Sequence, residues 1–466
     1  MGKTAYLTAL DYLYSFVDNS VTRRQRYSPD GTELQRMRSL LERLGNPHRS
    51  YPSVHIAGTK GKGSVSAMVA SILQEAGYNV GLYTSPHLQR FTERVQINRI
   101  EITQDQVVDL VDELKSHVSN IAGLTTYDLI TALGFMYFSR QQVDCAVVEV
   151  GLGGRLDPTN VLNPSVSVIT SISYDHMHLL GNSLSDIARE KAGIIKGGIP
   201  IVLAPQQSEA ELVVTHIAQE RGAPLIKVGQ DWLFSPGRRQ LDGQSFYVWS
   251  SDEQDRMDAY VESAGSEAWA PAKYTMPLLG YHQVVNAAVS YATVQTLRGP
   301  DLQVGESAIR TGFEHVQWSG RFEVLNTNPT VVVDSAHNRD SALKLRIAMD
   351  DYFPGRPVTM IFGASRDKDL EGMLAELLPR VSTLIITQAD HPRAAEPAVL
   401  TDLAHSHGVR VEVVSPVARA LEVGLRTLRV EGVLLVTGSL FVVGEALTAW
   451  DEIQRIQPAA DSQKEI

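Results

Sequence analysis

The chain has 466 residues, which at roughly 150 residues per domain points to two or three domains, each able to bury a core without disulfides or structural metals. Asp and Glu number 53 against 42 Lys and Arg, and the resulting formal charge of −11 argues against a general nucleic-acid binder while leaving room for a local basic pocket. Cys145 is the only cysteine, so an intramolecular disulfide and a cysteine-rich zinc site are excluded. With no signal-like N-terminus and no apolar run long enough to cross a membrane, the expectation is a soluble cytoplasmic protein.

Residues 5–17 read as an amphipathic helix with aromatics on its buried face, and a charged stretch over 19–49 contains a second helical pattern at 33–44. Val54-His55-Ile56-Ala57 is then a short apolar run, followed by a glycine-rich turn and helical spacing over 64–75. A strand over 80–84, helices over 104–117 and 127–139, and apolar strands over 145–150 and 166–172 follow. Short apolar runs alternating with helical patterns predict a mainly parallel sheet covered on both faces, with ligands beyond the carboxyl ends of its strands. Residues 235–275 are polar, acidic and aromatic-tipped, and predict an irregular or hairpin excursion. A helix over 283–297 leads to Arg298-Gly299-Pro300, a hinge. Strands near 331–333, 358–362, 383–387, 410–414 and 432–437 then resume the alternation. The fold expected is α/β: a P-loop ATPase domain with a mainly parallel sheet over 1–297, and a smaller C-terminal Rossmann-like domain over 298–466, with the active site in the cleft between them.

Gly58-Thr59-Lys60-Gly61-Lys62-Gly63-Ser64 lies between a predicted strand and a predicted helix. Its glycines let backbone N–H groups converge on phosphate oxygens, and the helix N-terminus adds a favourable dipole. Lys62 is placed to reach the β- and γ-phosphates, and the Ser64 hydroxyl a phosphate or its Mg²⁺. The strict pattern wants glycine where Ile56 stands, so this is a variant loop. The Asn-Lys-x-Asp guanine motif is absent, which favours adenine.

Four further segments continue the pattern: YTSPHL at 83–88, EVGLGGRLDPTNV at 149–161, SYDHMHLLGNSLSDIAREKAGIIK at 173–196 and GYHQVVNAAVS at 280–290. WSGRFEV at 318–324, VVVDSAHN at 331–338, FGASRDKD at 362–369 and VTGSLFVVGE at 436–445 extend it through the second half. Together with GTKGKGS at 58–64, these resemble the folylpolyglutamate synthase/dihydrofolate synthase family of the Mur ligase superfamily, in the family's order and from about residue 50 onward.

The resemblance implies an ATP-dependent amide ligase that adds L-glutamate to folates, and also to dihydropteroate, through an acyl phosphate. ATP, two Mg²⁺ ions and small-molecule substrates are implied, with no nucleic-acid or membrane partner and a monomeric state. Ser85, Glu149 and His176 match the family's magnesium ligands. Lys191 matches the lysine that the family carbamylates, a further ligand for Mg²⁺. Asn286, Arg321 and Asp334 match positions contacting ATP, and His337 resembles a position near the γ-phosphate and the incoming amine. Thr125, Thr126, Tyr127 and Asp128, with Leu156, Asp157 and Pro158, align with segments lining the pteroate pocket. There Tyr127 would stack on the pterin, and Asp128 or Asp157 would accept from its nitrogens. Tyr127 read alone fits a helix core equally well.

Lys60 stands where the family usually has asparagine, Ser335 where it has glycine and Pro158 where it has alanine, and residues 28–40 match the family's pteroate loop poorly. The last two departures bear on dihydropteroate rather than on ligation, so a folylpolyglutamate synthase alone is the alternative. A peptidoglycan Mur ligase would need a UDP-binding domain before the P-loop, where only about 50 residues stand. A P-loop switch would explain 58–64 but not the carboxylate–histidine–lysine set.

Overall fold

A computed structural model describes residues 2–16, 32–297, 302–405 and 407–461. The hinge expected at 298–300 and the first part of the 28–40 segment lie outside those residues. The described chain forms two compact units. One takes in the residues up to Gly237, then Ser245–Pro277 and Gln283–Val316; the other has Arg238–Gln244, Leu278–His282 and the residues from Gln317 on.

In the first unit, strands β1 (Ser53–Ala57), β2 (Val80–Tyr83), β3 (Val95–Ile97), β4 (Ile100–Glu101), β5 (Cys145–Glu149), β6 (Val166–Ile169), β7 (Ile201–Leu203) and β8 (Leu225–Lys227) form one sheet, ordered β4-β3-β2-β5-β1-β6-β7-β8. The six from β2 to β8 run parallel, and β3 and β4 close one edge antiparallel. Every residue of β1, β2, β5 and β6 is buried, as strands covered on both faces must be, which is why they read as continuous apolar runs.

One core gathers Leu110, Leu114, Leu133, Phe135 and Phe138 with Leu13 and Leu40 on one side of the sheet, and another gathers Ile169, Ile187, Ile194 and Ile201. Helix starts are fixed by side chains that accept from otherwise unpaired N–H groups: Thr103 before Gln104–His117, Thr125 before Thr126–Arg140 and Ser183 before Leu184–Ala192, each with a reciprocal partner three residues on.

The segment expected to be irregular or a hairpin contains β9 (Trp232–Gln240) and β10 (Gly243–Ser250), a helix Gln254–Glu262 and β11 (Ala272–Met276), and the strands form a sheet ordered β11-β10-β9. Its hairpin is borne out; its polar texture concealed a third strand and a helix with no buried residue. The second unit is built on β12 (Glu323–Thr327), β13 (Thr330–Asp334), β14 (Val358–Phe362), β15 (Val381–Ile386), β16 (Val411–Val413) and β17 (Val433–Thr437), ordered β12-β13-β17-β14-β15-β16. Five run parallel and β12 is antiparallel at the edge. The mixed α/β class with a second α/β unit is as expected. Among the described residues no helix is long and apolar enough to cross a membrane.

Candidate functional site

The chemistry-bearing residues of the first unit stand at the carboxyl ends of neighbouring strands. After β1 the chain turns through Gly58 (φ +148°) and Gly61 (φ +89°) into the helix Lys62–Glu75, for which Gly61 is the N-cap. A Cβ at Gly58 would stand 1.8 Å from Thr170 Oγ1, and one at Gly61 would stand 2.3 Å from Asn286 Oδ1, so both positions need glycine for backbone shape and for space. The loop is tied down from beyond β6, where Ser171 O accepts from the N–H groups of Thr59 (2.8 Å) and Lys60 (3.1 Å). The amides of Lys62, Gly63 and Ser64 form the first helical turn, which has no intrahelical acceptors and is suited to an anion.

Lys62 Nζ lies 3.8 Å from Glu149 Oε1 at the end of β5, and Glu149 Oε2 accepts from Ser85 N at 3.1 Å. The Ser85 hydroxyl is buried without a hydrogen-bond partner among the described residues. An unused buried hydroxyl beside a carboxylate is a hard-oxygen donor set, and it fits Mg²⁺. Lys191 is 3% exposed and donates to Gly58 O at 2.7 Å, which brings it onto the phosphate loop from 133 residues away. Burial, reinforced by the Lys62 charge, holds its pKa well below the ordinary lysine value and favours the neutral amine that carbamylation requires.

Lys60 donates to Asp175 Oδ2 at 3.1 Å and is largely buried, so the cation that departs from the family pattern is paired within the site. His176, in the left-handed conformation before the short helix Met177–Leu180, has Nε2 3.7 Å from Asp175 Oδ1. His178 is exposed. Among the described residues no group of three or more His, Cys, Asp or Glu is placed to hold a metal ion, so an ion at Ser85 and Glu149 would not be held by those residue types alone. On the 281–297 helix, Asn286 donates to Gln283 Oε1 at 2.9 Å, and Gln283 reaches Ser64 Oγ at 3.3 Å.

The residues matched to the pteroate pocket divide into two groups. Thr125 N and Oγ1 both donate to Asp128 Oδ2 at 2.8 Å, Arg36 Nε donates to the same oxygen at 2.9 Å, and Thr126 Oγ1 donates to Leu13 O and Phe16 O. These contacts cap the Thr126–Arg140 helix and fasten the N-terminal helices to it. Tyr127 is the half-buried exception in a helix whose residues are otherwise buried from Thr126 to Phe138, so it does not behave as plain core. Gly151 faces it: a Cβ there would stand 3.3 Å from Asp157 Oδ2, 3.4 Å from Ser85 Oγ and 4.0 Å from Tyr127 Cδ1. The missing side chain thus leaves one small space lined by a carboxylate, a free hydroxyl and an aromatic edge. Leu156 and Pro158, beside Asp157, are half-buried.

Two residues escaped the sequence reading. Arg94 is 6% exposed, donates Nε to His87 Nδ1 at 2.9 Å and has Nη1 buried without a partner among the described residues. Burial and the Arg94 charge hold the His87 pKa down at about 4, so the histidine accepts as a neutral ring. His55, inside β1, is the other. Neither carried a local signal, since both pairings are made only on folding.

In the second unit, Asp334 ends β13 and accepts from Phe322 N through Oδ2 and from Ala336 N through Oδ1, each at 2.8 Å. Arg321 donates to Ser335 Oγ, and His337 Nδ1 lies 2.9 Å from Ser335 O. Ser335, the departure from the family's glycine, therefore supports Arg321. Asn338 caps the helix Arg339–Tyr352.

Comparison with known proteins adds independent findings. The Mur ligase middle domain matches residues 56–294, and the Mur ligase glutamate ligase domain matches residues 320–440. A Bacillus subtilis dihydrofolate synthase/folylpolyglutamate synthase is 36% identical over 369 residues, 78% of this chain and 82% of that protein. The structure of E. coli FolC in complex with DHPP and ADP aligns with a TM-score of 0.82 at 29% identity, over 97% of this chain and 99% of the other. A Mycobacterium tuberculosis folylpolyglutamate synthase complexed with ADP gives 0.82 at 31% identity, covering 96% and 98%.

Proposed function

Since this chain belongs to the folylpolyglutamate synthase/dihydrofolate synthase family of Mur ligases, we propose that it uses ATP to join L-glutamate to folates, and to dihydropteroate. The observation that carries this reading is the convergence of Lys62, Glu149 and Ser85 at the phosphate loop, with the buried Lys191 amine on Gly58 O. A carboxylate of the acceptor acid attacks the γ-phosphorus of ATP, ADP leaves, and the amine of glutamate displaces phosphate from the acyl phosphate to leave an amide. What the protein must supply is alignment and neutralisation of the charge spread over the transferring group.

In this reading, the first-turn amides and Lys62 hold the phosphates, with Asn286 closing over Gly61. Ser85 and Glu149 hold Mg²⁺, which when bound supplies charge neutralisation on the phosphate oxygens. His176 and a carbamylated Lys191 complete the ion's surroundings. Tyr127 and Asp157 line the acceptor's heterocycle beside Gly151. Asp334 braces the loop from which Arg321 and His337 serve the nucleotide and the incoming amine. A monomer working in the cytoplasm belongs to the same reading.

The test is phosphate release from Mg·ATP with L-glutamate, with dihydropteroate and tetrahydrofolate as alternative acceptors. Glutamate-dependent turnover with both is expected. Turnover with tetrahydrofolate alone would limit the enzyme to chain extension, and glutamate-independent turnover would refute the ligase.

A further inference from the structure

Strand β1 crosses the middle of the first sheet with every residue buried, yet it carries an imidazole, His55, with no exposed surface. His55 Nε2 lies 2.8 Å from Thr159 Oγ1, while Nδ1 is buried with no partner among the described residues. Leaving a ring nitrogen unsatisfied in the centre of a sheet is costly, and an aliphatic residue would avoid it.

The contacts of Thr159 show what the imidazole does. Thr159 Oγ1 donates to Asp157 Oδ1 at 2.5 Å, and Thr159 N donates to the same oxygen at 3.1 Å. A hydroxyl has one proton; with that proton on the carboxylate, Thr159 can only accept from His55, which fixes the Nε2–H tautomer. Proton donation therefore runs one way, from His55 to Thr159 to Asp157. Oδ2 of Asp157 takes Leu152 N at 2.9 Å and faces the open side of Gly151, where Ser85 Oγ and Tyr127 also stand.

We propose that His55, acting through Thr159, is a positioning residue for the acceptor acid: the chain saturates Oδ1 of Asp157 and presents Oδ2 to an N–H group of the acceptor's heterocycle. Burial, with the Lys196 charge adding to it, holds the imidazole pKa down at about 3, so the ring stays neutral and the direction of donation does not change over any working pH. The inference rests on the reading that Asp157 faces the acceptor, and it extends that reading to a residue three places before the phosphate loop.

The experiment is steady-state kinetics on the full-length enzyme, measuring KM separately for the acceptor acid, Mg·ATP and glutamate. Asp157→Asn calibrates the site. Thr159→Val, which keeps the shape and removes the hydroxyl, and His55→Asn, whose amide mimics Nδ1, should each raise the acceptor KM about tenfold while leaving that of Mg·ATP unchanged, near the lower end of what losing a hydrogen bond to a charged group costs. Thr159→Ser and His55→Gln, whose amide nitrogen reaches the Nε2 position, should restore it. An unchanged acceptor KM in Thr159→Val beside a raised one in Asp157→Asn would overturn the relay alone. An unchanged value in Asp157→Asn would overturn the reading beneath it. Equal losses in His55→Gln and His55→Asn across all three substrates would reduce His55 to a structural residue and overturn the inference.

Discussion

Replacing Gly61 with alanine probes the seat of Asn286 on the phosphate loop. The position has φ +89°, and left-handed backbone costs an L-residue about 1–2 kcal/mol. The new Cβ would also stand 2.3 Å from Asn286 Oδ1 and 3.1 Å from its Cγ. Asn286 is buried and held by Gln283 Oε1 at 2.9 Å, so it yields only by giving up that bond or by pushing the loop away. Crowding of this kind costs about 1–3 kcal/mol, for a combined loss of about 2–5 kcal/mol. Gly77→Ala is the control, since φ there is +94° with no atom within 4 Å, and only the backbone share of about 1–2 kcal/mol applies. Asn286→Ala should recover the steric share, giving a coupling of about 1–3 kcal/mol in a double-mutant cycle read by urea unfolding. Opening the contact to 3.0 Å needs a shift of about 0.7 Å, and misplacement on that scale should lower turnover on the order of 100-fold in an ADP-release assay. A Gly61→Ala enzyme that loses no more stability than Gly77→Ala and turns over normally would refute the placement of Asn286 on the loop.

Lys62→Ala should abolish phosphoryl transfer with the unfolding midpoint unchanged, because its one ion pair among the described residues, to Glu149, is long at 3.8 Å; near-normal turnover would remove the loop from the mechanism. Lys191→Ala should be inactive and partly rescued by acetate or formate, and a fully active variant would dispose of the carbamate. Burial, with Arg49 adding repulsion, holds the His48 pKa down at about 4. The unfolded chain binds that proton near the ordinary pH of 6.5, so this contribution is complete above 6.5 and is lost as the pH falls toward 4, by about 1.4 kcal/mol per pH unit. His48→Phe keeps a ring against Phe135 and should flatten the unfolding free energy over that window by the same slope; parallel profiles for the two proteins would contradict it.

Much of the fold was legible because its signals are local. Glu149 closes a five-residue buried strand and reads as a site residue at a strand end. Gly58 and Gly61 read as a phosphate loop because only glycine suits those turns. The antiparallel edge strands β3 and β4 were not legible, being three and two residues long, nor was the third strand that joins the hairpin in 232–276. Asp128 shows the limit on the chemical side. Its type and position suit a pterin contact, yet Oδ2 is engaged by Thr125 and Arg36, an arrangement that depends on a residue 92 positions away, while Oδ1 is buried with no partner among the described residues. His55 is the converse: inside an apolar run it reads as core, and its partner Thr159 lies 104 positions on.

The adjacency of β2, β5, β1 and β6 sets a ruler along the sheet's edge. Neighbouring strands lie about 4.8 Å apart, so the tips carrying Ser85, Glu149, Gly58 and Thr170 span roughly 14 Å in fixed order. Each step of that ruler carries a different task, and no linear stretch of chain could keep the intervals, since the four tips are separated by tens of residues. Lengthening a loop between these strands leaves the graduations where they are. The edges beyond β2 and β6 can thus drift in sequence and length while the spacing at the centre holds.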